Sequence, residues 1–214
     1  MDELDRIKFL EDQLHRLSEI GMALSTEKDT DRLFEMILEE AKNITRADGR
    51  TLYSMNENGD LQFEIMRSDS MDIVMGGTSG KEIPYYPVKL WLDRQTPNRK
   101  NVSAYVALAQ KTVNIEDAYE EEGFDFEGTK NFDKKSGYRS KSFLTVPLKN
   151  HENEIIGVMQ LINARNENGK VISFNKEMQE QVESLASQGA VALTNKRLVE
   201  ELKTLFESFI KLIA

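Results

Sequence analysis

The chain of 214 residues contains no cysteine. That one absence removes disulfides, thiolate zinc sites, cysteine nucleophiles and thioether-linked chromophores together. Histidine is nearly as scarce, at His15 and His151, so a histidine-built metal centre is not expected. Positive charge is in deficit: 28 Lys and Arg stand against 37 Asp and Glu, a net charge of -9. This is the wrong sign for nucleic acid or an anionic membrane as the main partner. No apolar run approaches the ~20 residues that span a bilayer, and Met1 to Leu10 (MDELDRIKFL) lacks the apolar core of a signal peptide. The cytoplasm is the expected location. The acidic run from Glu116 to Glu127 contains no Asp-x-Asp-x-Asp-Gly calcium pattern and reads as a solvated face.

What is present suffices for one core with accessory helices, since 39% of the residues are hydrophobic. Ile7, Leu10, Leu14, Leu17 and Leu24, with Gly21 in the remaining slot, alternate spacings of three and four, which is a heptad seam. Such a seam suits a contact with another copy of the chain; the other use of it is packing on its own domain. Asp29 or Thr30 then caps a second helix whose Leu33, Phe34, Ile37, Leu38, Ala41 and Ile44 form a stripe wide enough to cover a sheet. Arg50–Met55 and Leu61–Arg67 alternate around a turn-forming Asn56–Asp60 and predict a hairpin. Met75–Glu82 resembles a phosphate loop only superficially. The required first glycine and the Ser or Thr after Lys81 are replaced by Met75 and Glu82, so a flexible surface connection is expected.

Ile83–Lys100 holds three of the four prolines and the single tryptophan, and reads as an irregular crossover. Asn101 caps a short helix, Val102 to Ala109, which leads to a strand at Thr112–Ile115. A long ordered loop follows, marked by Gly123, Gly128 and Gly137, with Phe124, Phe126, Phe132 and Tyr138 to pack it. Ser142–Lys149 and Glu154–Asn163 predict the central hairpin, with Pro147 at an irregularity or facing an open edge. From Ser173 or Asn175 a helix runs on through Gly189. Its last part places Leu198, Leu202, Leu205, Phe209 and Leu212 at alternating four and three spacing. The order of elements predicts an α+β fold: an antiparallel sheet, helices segregated to one face, and first and last helices protruding as a shaft. The expected division is 1–28 as N-terminal coiled-coil helix, 29–195 as the domain, and 196–214 as the start of a linker helix to an output domain.

Asn114-Ile115-Glu116-Asp117-Ala118-Tyr119, Phe132 to Ser142 (FDKKSGYRSKS), Val146-Pro147-Leu148-Lys149-Asn150 and Ile156 to Asn163 (IGVMQLIN) together resemble a GAF domain. The type is that of cyclic-nucleotide phosphodiesterases, adenylyl cyclases and bacterial signalling proteins. Asn101–Phe132 and Leu193–Ala214 are similar to GAF domains that precede HD-GYP domains, which hydrolyse cyclic di-GMP. The resemblance implies a ligand between the sheet and the short helix and loop covering it. Val102 and Ser103 match positions near the purine; Asp133, Ser136 and Ser140 match loop positions that contact the nucleotide; Gln160 and Thr51 match polar positions on the sheet. The implied ligand is cAMP, cGMP or another small molecule, with no covalent cofactor.

One departure stands out. The family motif that joins Asn-Lys to a later Phe and Asp-Glu reads here as Asn163-Ala164, then Phe174, then Met178-Gln179, so the lysine and its acidic partner are both missing. Losing both leaves no lone buried charge. The resemblance implies a non-enzymatic, homodimeric sensor that signals through its helices to an output domain such as an HD-GYP phosphodiesterase. The alternative is a ligand-free dimerisation and spacer module. Methionine sulfoxide reduction, which some GAF domains perform with cysteines, is excluded by the residue inventory.

Overall fold

The computed structural model describes residues 15, 18–93 and 95–213. Of the N-terminal seam, Ile7, Leu10, Leu14 and Leu17 lie outside the described residues. Helix α1 (18–26) carries the rest, and its Leu24 is buried in the core. Where Gly21 would bear a Cβ, Gln188 Oε1 lies 2.9 Å away. The last two seam positions thus pack on the chain's own domain.

Helix α2 (Thr30–Thr45) begins where Asp29 accepts from the Arg32 N–H at 2.9 Å and ends where Arg46 turns left-handed at φ 52°. A side-chain acceptor at the first turn satisfies an otherwise orphan donor. The helix buries Leu33, Phe34, Ile37, Leu38 and Ala41, as its stripe predicts.

Six strands form one antiparallel sheet in the order β3-β2-β1-β6-β5-β4: β1 (Gly49–Met55), β2 (Leu61–Ser68), β3 (Ile73–Gly76), β4 (Val113–Ile115), β5 (Phe143–Lys149) and β6 (Ile155–Ile162). A minor hairpin follows, β7 (Ala164–Arg165) with β8 (Val171–Ile172). Successive side chains leave opposite faces of a strand. Accordingly Leu52, Leu144, Val146, Met159 and Leu161 join α2 and the last helix in one apolar cluster, whereas Tyr53, Phe143 and Val158 join a second cluster beneath α3 (Val102–Ala109). Gly157 permits the close approach of β6 to β1, since a Cβ there would sit 2.1 Å from the Tyr53 carbonyl oxygen. β4 pairs only with Phe143 to Thr145, and the Asn163 N–H donates to the Ser142 carbonyl on the other side of β5. By alternation, the nitrogen of Pro147 that lacks a proton faces the open edge.

Two segments differ from expectation. The loop between Gly123 and Gly137 contains a helix, α4 (Glu127–Ser136). Met75–Glu82 begins within edge strand β3 and continues through a 3-10 turn at Gly77–Ser79. Helix α5 (Lys176–Ile213) follows, with the Met178 N–H donating to Asn175 Oδ1 at 2.8 Å. It passes unbroken through Gly189, where a Cβ would fall 2.6 Å from Ile37 Cδ1; the missing side chain lets α2 and α5 meet. The long helices α2 and α5 share one face of the sheet, and the short α3 lies over the other.

Candidate functional site

The floor of the site is a row of neutral polar residues across three strands. Thr51 on β1 is the cross-strand neighbour of Gln160 on β6, and Gln160 is the neighbour of Thr145 on β5. Directly opposed residues project to the same face. Helix α3 roofs this row: Asn101 Oδ1 accepts from the Ala104 N–H at 3.0 Å, fixing the first turn so that Val102 and Ser103 point inward and are buried. Gln160 Nε2 donates to Ser103 Oγ at 3.3 Å and to Thr145 Oγ1 at 3.2 Å. Tyr53 joins through Ser103; burial pushes its hydroxyl up to about 12, and the Ser103 hydrogen bond opposes that only in part. Val106, Ile115, Phe126, Phe143 and Val158 supply the apolar surround.

Thr51, Val102, Ser103 and Gln160 are therefore brought together, with Thr145 and Tyr53 as members that motif matching did not select. Their signal was available in the inward alternation of β1 and β5. The hydrogen bonds of the other three residues run within α4 and its neighbouring loops. Asp133, buried on α4, accepts from the Ser140 N–H and Ser140 Oγ, both at 2.8 Å, and from the Tyr119 hydroxyl at 3.1 Å. Asp133 and Ser140 thus satisfy each other and fix the loop after α4. Ser136 is exposed, donating to the Phe132 carbonyl at 2.9 Å and accepting from the Tyr138 N–H at 3.3 Å. Outside this turn Arg139 stacks 3.5 Å over the Tyr119 ring and pairs with Asp117 at 2.6 Å, a solvent-exposed cation on an aromatic face.

A separate ion pair ties the start of β1 to β7. Asp48, fully buried before β1, pairs with Arg165 and accepts from the Tyr138 hydroxyl at 2.7 Å, Ser70 Oγ at 2.7 Å, the Ser70 N–H at 3.0 Å and Ser68 Oγ at 3.1 Å. Burial pushes this carboxyl up, but the Tyr138 and Ser70 hydrogen bonds and the Arg165 charge outweigh it and hold the group below its ordinary value. Burial, then the carboxylate beside it, drives the Tyr138 hydroxyl far upward, so it stays protonated as a donor. Asn163, at φ 59°, completes the knot: its Oδ1 accepts from the Lys141 N–H at 2.7 Å and its Nδ2 donates to the Arg139 carbonyl at 2.8 Å. Asn163 thus anchors the loop after α4, and the Asp48–Arg165 pair holds Tyr138 of the same loop.

Comparison with known proteins agrees with this architecture. The GAF domain of an Acinetobacter phosphoenolpyruvate-protein phosphotransferase superposes with a TM-score of 0.61 at 15% identity, covering 88% of this chain and 97% of that one. In sequence, the chain is 41% identical over 83 residues to the dual 3',5'-cyclic-AMP and -GMP phosphodiesterase 11A of Takifugu rubripes, covering 39% of this chain and 9% of that protein. It is 32% identical over 105 residues to the phosphodiesterase 11 of Drosophila melanogaster, covering 49% and 7%. The matches thus span less than a tenth of either phosphodiesterase. The family model described as GAF domain matches residues 29–193, which is most of the chain, and the chain therefore belongs to the GAF domain family.

Proposed function

We propose that this GAF domain is a regulatory, non-catalytic sensor that holds a small molecule of the cyclic-nucleotide class between α3 and the sheet and passes the signal through α5 to an output domain. The observation that carries this reading is the row Thr51, Gln160 and Thr145 beneath Ser103. It is a set of uncharged donors and acceptors in an apolar surround, the composition that reads a heterocycle by a few placed polar groups. The N-terminus of α3 adds a favourable field for a phosphate. The relatives named for hydrolysis of cyclic AMP and cyclic GMP support the ligand class. The resemblance of Leu193–Ala214 and of Asn101–Phe132 to GAF domains that precede HD-GYP domains makes a cyclic di-GMP phosphodiesterase the output we favour. Because Thr51 and Gln160 lie on strands that contact α2 and α5 through their other face, occupancy bears on both helical layers. A ligand shifts such an equilibrium only by its differential affinity for the two states, typically ~1 to 3 kcal/mol.

Calorimetric titration and thermal shift with cAMP and cGMP test this. The expected result is saturable binding with a raised melting temperature, lost in Gln160→Leu while that variant keeps its fold. A specific observation favours the second reading, a ligand-free spacer: Gln160, Ser103, Thr145 and Tyr53 already satisfy one another. Absence of any stabilisation at millimolar nucleotide in folded protein would decide for the spacer.

A further inference from the structure

Strand β4 covers only the first part of β5. Val113 stands opposite Thr145, and the same register carried further would put Lys111 opposite Pro147. Proline has no N–H to return across such a pair, and no backbone hydrogen bond joins Lys111 to Pro147. The chain leaves the roof helix α3 through Gln110, left-handed at φ 55°, and joins the sheet only at Val113. Between Gln110–Thr112 and the second half of β5 lies a groove of about 590 Å³, floored by Gln179, Glu183 and Ser187 of α5. That volume suits a small ligand.

The charged and titratable residues of the groove are Lys111, Lys149, His151 and Glu183. Two lysines against one glutamate leave it net positive, in a chain of net charge -9. Among the described residues neither lysine forms an ion pair, whereas Arg50 and Arg67, in the cleft between α2 and β2, pair with Asp69 and Glu35 at 2.9 Å. Glu183 is engaged on the floor: its Oε1 accepts from Gln179 Nε2 at 3.0 Å, and Gln179 Oε1 accepts from Asn114 Nδ2 at 3.0 Å. The turn beside Lys149 is held by buried Asn150, whose Oδ1 accepts from the Glu152 N–H at 3.0 Å and the Glu154 N–H at 2.9 Å. His151, 3.9 Å from Glu152, closes that end. No arginine lines the groove. Planar carboxylate recognition is the strength of the arginine fork, while lysine binds phosphate as a point charge. The Pro147 carbonyl, on the side of β5 that β4 leaves uncovered, is an acceptor for a ligand hydroxyl.

We infer that this groove is a second ligand site, for a small phosphate ester. The phosphoryl group sits between the ammonium groups of Lys111 and Lys149, and the hydroxyl-bearing body lies along Pro147 over the first turns of α5. Such a ligand bridges the end of the roof helix α3 to the root of α5 without entering the space beneath α3. It is independent of what the α3 site holds.

Inorganic pyrophosphate is the probe, titrated into the full chain at an ionic strength of about 0.15 M, where attraction between exposed charges more than ~8 Å apart is screened. Calorimetry is expected to show saturable binding, weakened about tenfold or more in Lys111→Ala and in Lys149→Ala. Both side chains lie outside the two apolar clusters, so these variants keep the fold. Binding is expected to persist in Lys81→Ala with Lys89→Ala, exposed lysines that do not line the groove. Citrate, a carboxylate probe, is expected to bind more weakly than pyrophosphate. In NMR spectra the amide signals of residues 110–112 and 149–153 are expected to shift, while those of residues 102–104 at the start of α3 stay in place. No saturable binding at millimolar pyrophosphate, undiminished binding when both Lys111 and Lys149 are replaced by Ala, citrate as tight as pyrophosphate, or shifts confined to residues 102–104 would each overturn the inference. Cyclic-nucleotide titration of the parent chain reads the α3 site separately, so failure of one reading is not failure of the other.

Discussion

Asp48 is a carboxylate out of contact with water that joins four pieces of chain: the start of β1, the turn after β2, the loop after α4 and strand β7. Its ionised form is favoured by several donors, so its removal exposes Arg165 and the Tyr138 hydroxyl together. Breaking one partner of a buried pair costs about 3 to 5 kcal/mol, and the partial exposure of Arg165 places Asp48→Ala at the lower end, about 3 kcal/mol by urea denaturation at neutral pH. The pH dependence follows from the lowered pKa. The folded protein gives up this proton more readily than the unfolded chain, so the contribution is fully present above the unfolded value, near 3.8, and is lost as pH falls through the folded one. The stability gap between parent and Asp48→Asn is therefore expected to be constant from pH 7 to 5 and to shrink below about 4; a gap that stays level to the acid limit would contradict this. None of it was legible in the sequence. Asp48 and Arg165 are 117 positions apart and belong to no periodic pattern, whereas the loss of Lys and Asp from the family motif was visible at once.

At the scale of elements, legibility follows amphipathicity. α2, the two main hairpins and α5 were readable because each buries one face and so carries a period. α4 was not, because EGTKNFDKKS buries only Asp133. A helix held by one buried carboxylate and its hydrogen bonds leaves no apolar stripe to count. β3 was hidden for a related reason: at the sheet edge, with no fully buried residue, it has no need of alternation. In the candidate site, Thr51, Ser103 and Gln160 could be placed together from motif and strand register, but Asp133 and Ser140 share a loop with no sign of which neighbour each would satisfy. The contact between α2 and α5 gives a sharper prediction. Gly189→Val forces methyl groups into Ile37, whose Cδ1 lies 2.6 Å from the added Cβ. Overpacking of this kind costs about 1 to 3 kcal/mol, more than the helix gains by losing a glycine, ~1 kcal/mol. The melting temperature should fall, and Ile37→Ala should recover part of the loss. A Gly189→Val chain as stable as the parent would mean that the two helices are not held at this distance.

At the scale of the molecule, the edge of the sheet is tied to the root of the long helix. Asn114 on β4 donates through Nδ2 to the Phe174 carbonyl and to Gln179 Oε1, both at 3.0 Å, so the strand that follows the roof helix α3 is bonded to the start of α5. From there the helix keeps one backbone to Ile213. An unbroken helix is also an angular scale. Seven residues added between Arg197 and Leu198 turn the tail by about 700°, within roughly 20° of two full turns, and nine add a half turn. The seven-residue insertion should leave the angular relation of domain to tail intact, and the nine-residue insertion should turn the tail to the opposite side of the helix axis, a change in envelope that small-angle X-ray scattering reads directly. The direction in which the α5 tail faces is thus a phase set by residue count, kept by lengthening in steps of seven and lost in steps between.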